Sequence, residues 1–136
     1  MPLPASACDC EPQSGPLAAR VASAVAKSDA VFSAQVIEVE ELAGFERIQI
    51  GRLKVLKSWK GPHAVGSGTM TATQIQDDVC GIEVAVNQTL LVYVSGDAPY
   101  RLSTCSRTQS LSSATEETRI LDRLAADSAK RPSKAN

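Results

Sequence analysis

The sequence predicts a mainly β domain: a five-stranded closed barrel of the OB type, with one helix at each end. Three observations lead there. Short runs rich in Val, Ile, Thr and Phe recur with turn residues between them. No alternation of strand and helix, the mark of a parallel sheet, is present. A length of 136 residues suits one domain with its own hydrophobic core.

The elements follow in order. Ser14-Gly15-Pro16 marks a helix start, since proline is tolerated at the first helical position. Leu17, Val21, Ala24, Val25 and Ser28 then fall on one face of a helix ending near Lys27. Residues 30–40 read as a strand whose apolar residues do not alternate strictly, as expected where both faces are covered. After a turn at Leu42-Ala43-Gly44, residues 45–56 form a longer strand. Ile48 and Ile50 share one parity and Leu53 and Val55 the other, which predicts a β-bulge at Gly51. Trp59, the sole tryptophan, closes this strand as a rim-packing residue. A loop over 63–68 leads to a third strand, 69–76, whose alternating threonines suit a wet face.

Residues 77–81 form a connection pinned by Cys80, with Asp77 and Asp78 solvated rather than calcium-binding, because no further oxygen ligands follow at regular spacing. Ile82-Glu83-Val84 is a short extended piece and Asn87-Gln88 a turn. The most apolar strand, 90–94, is expected at the centre of the sheet, and 100–103 forms the last strand before Cys105. Ser112-Ser113, with Glu116 in the first turn, opens a second helix. Its apolar stripe is Leu111, Ile120, Leu121 and Leu124, with Glu117, Arg119, Asp122 and Arg123 on the other side. Residues 127–136 read as a disordered tail. The domain itself therefore spans 8–126, and 1–7 reads as a leader remnant or tag-like start.

Composition narrows the partners. With 14 basic and 15 acidic residues the net charge is -1, and no basic stripe suggests nucleic acid. The longest apolar run, 89–94, has strand length and cannot span a bilayer as a helix. Four cysteines and one histidine, His63, lack the paired spacing of a zinc site, so disulfides and an oxidising compartment are expected. Ala5-Ser6-Ala7 before Cys8 has the small-x-small form that signal peptidase cleaves after, which predicts a secreted, periplasmic or cell-envelope protein. A redox role for Cys8-Asp9-Cys10 would need a helix N-terminus behind the thiol, and none begins there. No Ser/His/Asp set or glycine-rich phosphate loop is present, so neither an enzyme nor a bound cofactor is expected.

These residues resemble a known family. Cys8-Asp9-Cys10-Glu11-Pro12 is followed by 28–36 entering the first strand and by Val55-Leu56-Lys57-Ser58-Trp59-Lys60-Gly61 at the end of the second. Cys80-Gly81-Ile82, Leu90-Leu91-Val92-Tyr93 and Thr104-Cys105-Ser106-Arg107-Thr108 complete the pattern. Over 8–124 the chain resembles the netrin-like (NTR) fold, and within it the bacterial proteins related to tissue inhibitors of metalloproteinases. The resemblance implies the disulfides Cys8–Cys80 and Cys10–Cys105, although four cysteines allow three pairings.

The resemblance also implies a function. In such inhibitors the chain begins at the first cysteine, whose α-amino group and carbonyl oxygen chelate the zinc of a metalloproteinase at the position kept open for water. Transferred here, Cys8 would be the zinc ligand, only as a free N-terminus, and Cys8, Asp9, Cys10, Glu11 and Pro12 would contact the protease. Asp9 would enter the specificity pocket, where a carboxylate needs a cationic partner. A monomeric inhibitor is the expectation. The alternative is a non-inhibitory module of the same fold that binds an envelope protein or a polysaccharide.

Overall fold

The computed structural model describes residues 10–44, 46–75 and 80–130. The chain forms helix α1 (Leu17–Lys27) and strands β1 (Ala30–Leu42), β2 (Ile48–Lys60), β3 (Gly68–Gln74), β4 (Thr89–Val94) and β5 (Gln109–Ser110). A 3-10 turn (Leu111–Ser113) and helix α2 (Thr115–Lys130) follow. The strands make one antiparallel sheet in the order β3-β2-β1-β4-β5.

That sheet is open, which corrects the closed OB-type barrel expected from the sequence. Closure would need a ladder between the two edges, and β5 is too short to supply one: it pairs only with Leu90 and Leu91 of β4. Residues 100–103, expected as a full strand, provide isolated bridges instead, Thr71 with Tyr100 and Gly81 with Ser103. Single hydrogen bonds tie this stretch to β3, from Tyr100 N to Met70 O at 2.9 Å and from Ala72 N to Tyr100 O at 2.8 Å. Leu102 N donates to a side chain, Thr73 Oγ1, at 3.1 Å. The centre of the sheet is β1, flanked by β2 and β4, rather than the expected 90–94 strand.

Burial on both faces explains why β1 lacks strict alternation. Residues 30–34 are at most 4% exposed. Ala30, Phe32, Ala34 and Val36 join Leu53, Val55, Leu90, Val92, Tyr100 and Leu102 in one cluster. Val31, Leu91 and Tyr93 face the other way, against Val21 of α1 and Ile120 and Leu121 of α2. The helices therefore cover one side of the sheet, and burying their apolar stripes stabilises them more than local propensity does.

The predicted bulge at Gly51 is absent. Gly51 lies in regular register opposite Val39, and the register of β1 on β2 shifts instead after Val31, Ser33 and Val36, leaving Trp59, Leu56 and Ile37 as the extra residues. Gln49, Gly51, Leu53 and Val55 all point inward, so the parity never changes at the glycine. Gln49 is tolerated inside because its Nε2 donates to Val84 O at 3.0 Å and its Oε1 accepts from Val84 N at 2.8 Å. Gly51 is needed for space: a Cβ there would lie 2.6 Å from Thr71 Oγ1. The β3 threonines likewise face the interior rather than water, with Thr69, Thr71 and Thr73 all buried. In place of a disordered tail from Asp127, α2 continues to Lys130. Ala125, Ala126 and Ala129 favour a helix there, and no proline intervenes before position 132.

Gly81 has a tighter constraint. A Cβ would collide with Gln74 O and approach Thr73 Cγ2 to 2.8 Å. Gly81→Ala is expected to lower the unfolding free energy by about 2–3 kcal/mol. Urea unfolding should show the midpoint falling at constant slope. Gly68→Ala, whose nearest neighbour would be Leu53 O at 3.7 Å, should stay within about 0.5 kcal/mol of the parent.

Candidate functional site

The first described residues are tied down rather than trailing. Cys10 is bonded to Cys105, with Cα atoms 5.1 Å apart across a sequence separation of 95. Cys8 and Asp9 lie outside the described residues, and with them the predicted Cys8–Cys80 pairing; Cys80 is not a free thiol. Cys10, Glu11 and Pro12 are exposed. The chain runs on without regular structure to Pro16, whose carbonyl accepts hydrogen bonds from Ala19 N at 3.0 Å and Arg20 N at 3.1 Å. Segment 10–16 is thus fixed covalently at one end and by α1 at the other. Midway, Gln13 Oε1 accepts from Arg107 Nη1 at 3.1 Å.

Arg107 can hold that position because a buried carboxylate holds Arg107. Its Nε and Nη2 donate to Glu117 Oε2 and Oε1, each at 2.8 Å, a bidentate pair. Tyr93 OH donates to Glu117 Oε2 at 2.6 Å and Gln109 Nε2 to Oε1 at 3.1 Å. Glu117 is only 4% exposed. Burial alone would raise its pKa, but the hydrogen bonds from Arg107 and Tyr93 outweigh it and the pKa is lowered. The Tyr93 phenol moves up, by burial first and by the adjacent carboxylate second, so it remains a donor. Arg107 is pushed up chiefly by its hydrogen bond to Glu117. Thr108 completes the base: its Oγ1 accepts from Tyr93 N at 2.9 Å and donates to Tyr93 O at 3.2 Å, extending β5 by a side chain.

Beside the segment lies a cleft of about 840 Å³. Glu11, Pro12 and Gln13 form one wall, with Lys27 and Ser28 at the end of α1, residues 95–97 and Arg101 on the others. Its charges are mixed, Lys27, Arg101 and Arg107 against Glu11 and Asp97. Of the predicted contact residues, Glu11 and Pro12 line this cleft, and Cys10 lies beside it through its bond to Cys105.

Other residues singled out in the sequence have structural roles. Trp59 is partly buried and donates from Nε1 to Asp122 Oδ1 at 2.8 Å, an oxygen that Lys57 Nζ also reaches at 2.6 Å. His63 Nε2 lies 2.6 Å from Tyr100 OH, with its ring edge-on to Phe32. Among the described residues, no group of three or more His, Cys, Asp or Glu is placed to hold a metal ion. No described helix is long and apolar enough to cross a membrane.

Glu117 is the residue that sequence reasoning misplaced on the solvent side of α2. A signal existed, for 117, 120, 121 and 124 share the i, i+3, i+4, i+7 spacing of one helix face. A carboxylate within an apolar stripe must find donors, and Tyr93 and Arg107 are those donors. The whole arrangement presents a short exposed peptide on a rigid base. By fold and site the protein is an open antiparallel sheet covered by two helices, with a disulfide-clamped N-terminal segment. Neither the protein-family models nor the curated proteins compared with the sequence contain a match.

Proposed function

We propose that the protein is an exported inhibitor of a zinc metalloproteinase, acting through the segment from Cys8 to Pro12 once the chain begins at Cys8. The observation that carries this reading is the Cys10–Cys105 bond, which with Gln13–Arg107 holds the exposed Glu11 and Pro12 on a preorganised base. Preorganisation matters because a segment already ordered loses little entropy on binding. A free amine and carbonyl oxygen at Cys8 would then fill the water position of the target's zinc. Asp9 would direct the inhibitor to a protease whose specificity pocket carries a cation. A disulfide suits an oxidising compartment such as the periplasm or the extracellular space.

The test is direct. Protein processed to begin at Cys8 is assayed against a panel of zinc metalloproteinases, with its disulfides verified by mass spectrometry. Inhibition of at least one member is expected, and acetylation of the Cys8 amine should weaken it by about 100-fold, some 2.7 kcal/mol of binding. No inhibition across the panel overturns the reading. The mixed-charge cleft then favours the second reading, a module binding an envelope protein or a polysaccharide.

A further inference from the structure

Strand β1 is paired on one side throughout and on the other only in part. Against β2 its ladder runs from Val31 to Leu42, whereas against β4 it stops at Gln35. Val36 extends the second side by one residue, donating from N to Gln88 O at 2.9 Å and accepting from Asn87 N at 2.8 Å. There the neighbouring chain leaves the edge. Asn87 turns with φ 71°, and the buried Val84 is bonded through its backbone to the inward Gln49. Among the described residues, the backbone of 38–42 therefore has no partner on the β4 side. Glu38, Glu40, Glu41 and Leu42 are exposed, and pairing with β2 already holds them extended. A row of open N–H and C=O groups on such an edge is a template for one more strand.

Side chains decide which strand fits. A second copy fits poorly, because every antiparallel two-fold register centred on residues 39–41 sets glutamate opposite glutamate. Glu38 would meet Glu40 or Glu41, Glu40 would meet itself or Glu41, or Glu41 would meet itself. Like charges directly opposite destabilise a strand pair. On the closed side, Glu38 is paired with Arg52 at 3.1 Å and Glu41 with Arg47 at 2.8 Å. Glu40 stands between them opposite Ile50, with no cationic partner among the described residues. We propose that residues 38–42 are a docking edge for an extended basic segment of another protein, which adds to the sheet beside β1 with a Lys or Arg opposite Glu40. The main-chain ladder supplies the affinity and the unpaired carboxylate selects the partner. Glu40 and Leu42, the latter 44% exposed, share one face of the strand. The partner therefore carries a basic and an apolar residue at the same two-residue spacing. None of residues 8–12 belongs to this edge, so the proposal stands apart from the inhibitory reading.

The experiment titrates the isotope-labelled full chain with the end-blocked peptide Leu-Thr-Lys-Val-Lys and follows its backbone amide resonances. Two further peptides serve as controls, one with glutamate in place of both lysines and one with alternate backbone amides N-methylated. Saturable shifts centred on residues 38–42 are expected with the lysine peptide. N-methylation keeps the charge and removes the ladder, so it should weaken binding by about tenfold or more. In Glu40→Lys, an exposed site without an ion pair, the lysine peptide should bind about tenfold more weakly and the glutamate peptide should gain. Absence of saturable shifts overturns the proposal, as do shifts centred elsewhere or equal binding of the N-methylated peptide. Changes at 38–42 with protein concentration alone overturn it as well, since the occupant is then a second copy. Should Glu40→Lys fail to fold, the three peptides on the parent chain decide.

Discussion

Replacing Cys10 and Cys105 together by serine is expected to lower the unfolding free energy by about 4–5 kcal/mol, the chain-entropy value for a loop near 100 residues. The melting temperature should fall by about 15 °C for a domain of this size. The loss arises mainly in the unfolded chain, which gains the freedom that the cross-link over a separation of 95 removes. Far-UV circular dichroism of the folded variant should therefore stay close to that of the parent. Backbone order parameters of the folded variant should fall over residues 11–16 while those of β1 keep the parent's values, because only the segment depends on the bond for its position. An equal fall in both would show that the disulfide organises the sheet rather than the segment. If the segment is the inhibitory surface, the same variant beginning at Cys8 should lose affinity even where it remains folded.

The second large effect centres on Arg107. Arg107→Ala leaves Glu117 buried without its counter-charge, and such a break costs about 3–5 kcal/mol. Glu117→Gln keeps the shape and removes the charge, so it should cost less; the difference between the two variants measures the stranded carboxylate. The pH dependence has a definite sign. The pKa of Glu117 is lower in the folded chain than in the unfolded one, so its ionisation stabilises the fold above the ordinary glutamate value of about 4.3. That contribution is lost as pH falls from there through the lower folded value. Chemical denaturation between neutral pH and the onset of acid unfolding should give a shallower acid limb for Glu117→Gln than for the parent. Superimposable limbs would show that another carboxylate governs acid stability. Because Arg107 also reaches Gln13, its removal should loosen segment 10–16 even at neutral pH.

Local chemistry accounts for much of what the sequence made legible. Pro16 and the spacing of Leu17, Val21, Ala24 and Val25 place α1, and the observed helix spans Leu17–Lys27. Ile120, Leu121 and Leu124 do lie in the cluster beneath α2. Where single residues were misread, long-range partners had the deciding vote. Ile48 and Ile50 suggested a phase change at Gly51, yet Gln49 faces inward because Val84 pairs with both ends of its amide. The β3 threonines looked suited to water, and Thr73 instead satisfies Leu102 N inside.

The clamp divides along the same line. Four cysteines at these positions were enough to indicate disulfides and an N-terminal segment tied back to the fold, since reach and ring strain limit what short spacings can do. The bond from Cys10 to Cys105, implied beforehand by the resemblance alone, is present in the structure, whereas the contact of Cys80 with Cys105 and the Arg107–Glu117 base beneath the segment came from three-dimensional packing. So did the open sheet, which depends on the two residues of β5 stopping short of any ladder with β3. Periodicity and caps act over a few residues and survive in a linear reading. Strand closure, side-chain parity and the partner of a buried charge are set by residues tens of positions apart, and the chain must fold before they meet.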